Sequence, residues 1–185
     1  MSTASGAKNN VIPPETEGTQ IVFESKEHER FYYEKLAQAE DNLTVGQVGC
    51  YHKALIYILG ISEDTRNHFS QIYDIKSGNI KKECLYQGWQ TSGSVRVVRL
   101  AFNLYTDRMT IDDECEDRDK QIRECRGYSV SDIFCCGYAM YFWEGIKLRY
   151  PEYCRKQKSI EEILAGMKER KQGNKQVSGS KQTKH

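Results

Sequence analysis

Apolar positions along this chain recur mostly at helical spacing. Ser25 is a plausible N-cap for a helix from Lys26 to Glu40, with Phe31, Leu36 and Ala39 facing inward. Thr44 to Cys50 is a break holding Gly46 and Gly49. Tyr51 to Leu59 is then apolar almost all round, the pattern of a central buried helix rather than a surface one. Gly60 is expected to end it, and Ser62 to cap a following helix that runs to about Tyr73. The segment IKSGNI, Ile75 to Ile80, reads as a tight turn between two short extended pieces, a small hairpin.

Ser94 is expected to cap a helix from Val95 to Tyr105. On it Val98, Ala101, Phe102 and Tyr105 face a core, while Arg96, Arg99 and Asn103 form one polar ridge. Residues 107–120 read as an acidic loop. Ser131 is expected to cap a long apolar helix from Asp132 to about Arg149, stopped by Pro151. Ser159 and Glu162 form a capping box for a last helix through about Lys171. The pattern predicts a mainly α fold, a single compact helical domain of five or six helices with one small β-hairpin. The expected organisation is a disordered leader over 1–22, a globular domain over 23–154, and a basic helix with a disordered tail over 155–185.

Composition adds limits. Of the 185 residues, 29% are charged and 38% apolar, enough for one core. The net charge of +1 argues against a general nucleic-acid coat protein. That mean hides a basic end, with nine Lys/Arg against three Glu from Arg155 to His185, and six acids in the eight positions from Asp112 to Asp119. The acidic run lacks the glycine and alternation of a calcium loop, so it is either a solvated loop or a phosphate mimic facing a basic partner. Seven cysteines without a CxxC pair fit reduced, mostly packed thiols in a cytoplasmic protein, Cys135 and Cys136 among them, with no metal site or cofactor. The longest uncharged apolar run, Ile133 to Trp143, is about half of a membrane span, so no membrane segment is expected.

Candidate chemistry falls on two groups of residues. The first is catalytic in type. Asp64 and His68 stand at i,i+4, where a carboxylate can orient an imidazole, and Glu63 and Arg66 lie on the neighbouring stripe. The same pattern is also an ordinary surface pair at a helix start. His52 opens the apolar helix and is expected to be partly buried, which lowers its pKa and suits either a core role or a general base. His52 and His68 as base and acid, with an arginine on the phosphate, would complete a metal-independent RNA transesterification. The second group is a loop of Gly88, Trp89, Thr91, Ser92, Gly93 and Ser94 that leads into Arg96 and Arg99. Unpaired N–H groups at a helix start suit an anion such as an RNA phosphate. Trp89 either stacks on a base or anchors the loop in the core.

The segments Tyr51 to Tyr57 (YHKALIY), Glu63 to Arg66 (EDTR), Gly88 to Ser94 (GWQTSGS), Ala101 to Tyr105 (AFNLY) and Tyr128 to Asp132 (YSVSD) carry a family resemblance. Together they resemble a family of small helical proteins of unassigned function, borne by plasmids, phages and integrative elements of Gram-positive bacteria. The resemblance covers roughly Phe23 to Tyr153; after Asp107 this chain departs from it, with Arg108-Met109 and the acidic run in place of a glycine and a less acidic loop. In size and character the chain is similar to type II-A anti-CRISPR proteins. That similarity implies Cas9 and its guide RNA as partners, inhibition by guide RNA cleavage or by binding alone, and residence in the bacterial cytoplasm. A mobile-element accessory or regulatory role unrelated to Cas9 is the alternative.

Overall fold

A helix that is apolar on every side needs neighbours on every side, and this requirement organises the chain. In the computed structural model, which describes residues 20–42, 48–109 and 117–154, helix α2 (Cys50–Ile61) is buried without interruption from Ala54 to Ile61. Three helices enclose it: α1 (Lys26–Asn42), α5 (Ser92–Thr106) and α8 (Ala139–Arg149). Tyr32, Val98, Phe102 and Phe142 supply much of the lining. Gly145 permits the α8 crossing, because a Cβ there would overlap the Ile58 side chain.

Shorter elements connect these helices. Helix α3 (Glu63–Asn67) breaks at His68, and α4 (Phe69–Ile72) follows, so the single helix expected up to Tyr73 is two pieces. Strands β1 (Tyr73–Asp74) and β2 (Asn79–Ile80) pair antiparallel with Tyr73 opposite Ile80, turning through Gly78 at φ +71°. A 3-10 turn, Lys82–Tyr86, leads toward α5. Helices α6 (Arg118–Arg126) and α7 (Val130–Ile133) precede α8, and α9 (Pro151–Cys154) follows it. Among the described residues the fold is mainly α with one two-stranded hairpin. Several of its helices are single turns, which the expected count of five or six leaves out.

Other boundaries differ for local reasons. Gly60 lies inside α2 rather than ending it, because the His28 imidazole occupies the space its side chain would take, 2.5 Å from an added Cβ. Ser62 makes no cap bond; the carbonyls at the end of α2 are met instead by Thr65 Oγ1 on Leu59 (2.6 Å) and Arg66 Nη1 on Gly60 (2.6 Å) and Ile61 (3.1 Å). Ser129, not Ser131, caps α7 through the Asp132 N–H, and residues 134–138 interrupt what the apolar pattern made one long helix. Pro151 stops α8 and also opens α9, where its missing N–H costs nothing. Helix α6 has no buried residue and hence no apolar stripe to announce it. The leader over 1–19, the acids Asp112, Asp113, Glu114 and Glu116, the Ser159/Glu162 helix and the tail lie outside the described residues.

His28 is fully buried on α1, a position the sequence pattern passed over. Its Nδ1 accepts the Glu24 N–H (3.2 Å), so the ring proton sits on Nε2 and is donated to the Tyr57 carbonyl (2.8 Å). Burial pushes its pKa from 6.5 down to about 4, with the Tyr57 carbonyl opposing only in part. Above pH 6.5 the ring is neutral in both folded and unfolded chains. As pH falls toward 4, only the unfolded chain takes up the proton, so stability declines by about 3 kcal/mol. Urea unfolding of the wild type and His28→Gln between about pH 7 and 4 checks this; the wild type loses stability faster, and parallel curves would refute it.

At the opposite end of α2, Arg149 is 7% exposed yet charged. Its Nη2 donates to both Asp107 oxygens (2.9 and 2.8 Å) and its Nε to the Leu104 carbonyl (2.9 Å). The guanidinium lies 3.5 Å from the Tyr51 ring centre and 4.5 Å from that of Tyr150. Burial works against the charge, but Asp107 and the two tyrosines outweigh it, and the Arg149 pKa stands above its ordinary value. Asp107 reaches this position through a left-handed backbone, φ 55°, at the end of α5. Arg149→Ala removes the pair and the aromatic stacking together, and should cost about 3 kcal/mol in urea unfolding at unchanged slope.

Candidate functional site

The start of α5 is built from side chains that bond one another. Thr91, rather than Ser94, is the N-cap: its Oγ1 accepts the Ser94 N–H (3.1 Å), and Ser94 Oγ accepts the Thr91 N–H (2.7 Å) in return. Ser94 is buried at the third helical position, and its hydroxyl donates to Gln90 Oε1 (2.7 Å). Ser92 and Gly93 between them keep backbone N–H groups with no hydrogen-bond partner among the described residues.

Four of the sequence-predicted residues meet here. Thr91 Oγ1 donates to the Asp64 carboxylate (3.2 Å). His68 Nδ1 lies 2.8 Å from the Asp64 carbonyl, so the backbone, not the carboxylate, fixes the imidazole. Nδ1 therefore carries the proton, and Nε2 keeps a lone pair with no partner among the described residues. The His68 ring stacks flat on Trp89, with ring centres 4.3 Å apart and planes 3° from parallel. Trp89 Nε1 donates to Gln71 Oε1 (3.1 Å), and the indole packs against the core. Trp89 is thus an anchor, the reading the sequence left open beside base stacking.

Beside this cluster is an open cleft of about 270 Å³ lined by Gln90, Thr91, Ser92, Arg96, Arg99 and Asp132. It lies where the sequence placed an anion site, but its arginines are committed elsewhere. Arg96 donates from Nε to the Asp132 carbonyl (2.7 Å) and from Nη1 to the Ser92 carbonyl (2.6 Å), and pairs with the Asp132 carboxylate (3.3 Å). Arg99 pairs with Glu124 (3.0 Å) and lies over Gly127, although its buried Nε has no partner. Both guanidiniums therefore hold α6 and α7 against α5.

The remaining predicted residues stand apart. Glu63 and Arg66 line an open groove of about 570 Å³ between α1 and α3, with Glu24, Glu27, Arg30 and Glu34. Arg66 is engaged there by the end of α2. His52 lies at the other end of α2, nine residues from Ile61, or about 14 Å along the axis. Its Nε2 is 3.4 Å from the Tyr105 hydroxyl, which donates to the Gly78 carbonyl (2.8 Å) and meets Tyr73 Oη (3.3 Å). Burial lowers the His52 pKa and keeps the ring neutral. His52 and His68 do not line one cleft, so a base–acid pair on one phosphodiester has no geometric support. Gln71 and Glu124 went unmarked by sequence reasoning, and Gln90 and Asp132, though within the quoted segments, were given no role.

Among the described residues the cysteines do not form a site. Cys84 is buried and its thiol is pushed up to about 12 by burial, while Cys135 is exposed rather than packed. Among the described residues no cluster of His, Cys, Asp or Glu is arranged to hold a metal ion, and no helix is long and apolar enough to cross a membrane.

These features define a small, mainly α protein with a polar cleft at a helix start. Residues 18–162 match the family of unknown function DUF6075, and the chain belongs to that family. No curated protein and no solved structure matches it.

Thr91 both caps α5 and anchors Asp64. Thr91→Ala should therefore cost about 1 kcal/mol in urea unfolding, while Thr91→Ser stays near wild type. Equal losses in both variants would show that the cap bonds are not what holds this end of α5.

Proposed function

We propose that this protein inhibits a Cas9–guide RNA complex by holding guide phosphates at the start of α5. The observation that carries the ligand class is the pair of unpartnered N–H groups, Ser92 and Gly93, at the cleft whose lining residue Thr91 bonds Asp64. The similarity in size and character to type II-A anti-CRISPR proteins suggests the partner. His68, with Nε2 free and its tautomer fixed, is the base available for cutting the guide.

Binding without cleavage is the second reading, and the arginines favour it. Arg66, Arg96 and Arg99 each serve a carbonyl or carboxylate of the fold, which leaves none of the three to stabilise a pentacoordinate phosphate. Incubation of the protein with Cas9 and guide, followed by DNA cleavage and a denaturing gel of the guide, tests both. Lost DNA cleavage is expected. A full-length guide with normal DNA cleavage would overturn the proposal. If the guide is shortened, a 2′-deoxy linkage at the cut should block shortening, and so should His68→Gln. Inhibition with an intact guide selects binding alone.

A further inference from the structure

A groove between α1 and the hairpin brings together three lysines that form no ion pair among the described residues. This groove, about 380 Å³, gathers Lys35 from α1, Lys76 from the hairpin turn and Lys81 just after β2. Lys35 lies over the Phe69 ring (5.2 Å) and the Phe31 ring (5.9 Å), which hold its stem in place, and it donates to Gln38 Oε1 (3.0 Å). Lys81 Nζ donates to the Ser70 carbonyl (2.8 Å). The Lys76 ammonium has no partner among the described residues. None of the three forms an ion pair there. The one carboxylate in the lining, Asp74, accepts the Lys76 backbone N–H (3.0 Å); that bond first, and more weakly the Lys81 ammonium, hold its carboxyl below the usual range.

Each ammonium keeps at least two unused donors, all are carried on separate elements, and their acceptors are neutral. Arginines of the fold, by contrast, pair with carboxylates at Arg96, Arg99 and Arg149. We infer that this groove binds the phosphodiester backbone of single-stranded RNA, with Lys35, Lys76 and Lys81 each neutralising one phosphate. Neutral Gln38 and Asn42 at the edge of the groove add hydrogen-bonding capacity without charge. The inference goes beyond the Cas9 reading, since it rests on charge placement and requires no particular protein partner.

Anisotropy of a labelled, unstructured RNA oligonucleotide, titrated with the full chain at about 50 to 300 mM salt, tests it. Three phosphate contacts on a single strand contribute about −2 to the slope of log K against log salt. The triple variant Lys35→Gln, Lys76→Gln, Lys81→Gln should lower affinity and reduce the slope magnitude by about 2, whatever the basic C-terminal segment adds to both proteins. Lys76→Gln alone, at an exposed turn position that cannot unfold the domain, should reduce it by about 0.7. Unchanged affinity and slope in both variants would overturn the inference, as would retention of a poly-glutamate probe in preference to RNA. Because Cas9 is absent from this assay, its outcome is read separately from that of the guide experiment.

Discussion

Burial of α2 on all sides is the constraint from which the rest of the architecture follows. From Ala54 onward it offers no polar face, so every polar demand of that helix falls on its two ends. One end is closed by Arg66 and Thr65 and the other by the Tyr51–Arg149–Asp107 contact. Arg66, a charged residue that looks available for chemistry, is therefore consumed in sealing a hydrophobic rod. A guanidinium suits this work because it can donate several bonds in one plane while its faces remain apolar enough to stack.

The same rod separates the histidines. Residues near its start and residues beyond its end can approach one another only if the helix bends, and α2 runs from Cys50 to Ile61 as one element. His68 consequently belongs to the α5 start, with Trp89 and Asp64, whereas His52 belongs to a tyrosine network under the hairpin. The two histidines thus lie in separate polar centres. The α5 centre has a free base and free N–H groups but no spare cation, and the lysine groove has spare cations but no base. Phosphate holding is a property both can have, whereas bond cleavage needs ingredients that the two divide between them.

Much of the fold was legible because its strongest signals are local. The all-apolar run of α2, the amphipathic pattern of α5 and the turn around Gly78 each depend on residues within one element. The errors arise where distant residues decide. Gly60 reads as a terminator until His28 is seen filling its missing side chain, and the chain from Asp132 to Arg149 reads as one helix until residues 134–138 turn it. The fates of the arginines were illegible for the same reason. Arg96 meets Asp132 from 36 positions away, Arg99 meets Glu124 from 25, and Arg149 meets Asp107 from 42. Pairing at that separation is invisible to spacing rules, which see only neighbours on one helix.

The seat of His28 on Gly60 bears on the order in which the chain assembles. Its imidazole bonds the backbone of Glu24 on one side and Tyr57 on the other, and it covers a bare stretch of the last turn of α2. Glycine is a weak helix former, so that turn has little reason to persist until the ring arrives. Docking of α1 and completion of α2 are therefore expected to be coupled, because one contact between two helices also supports the secondary structure of one of them.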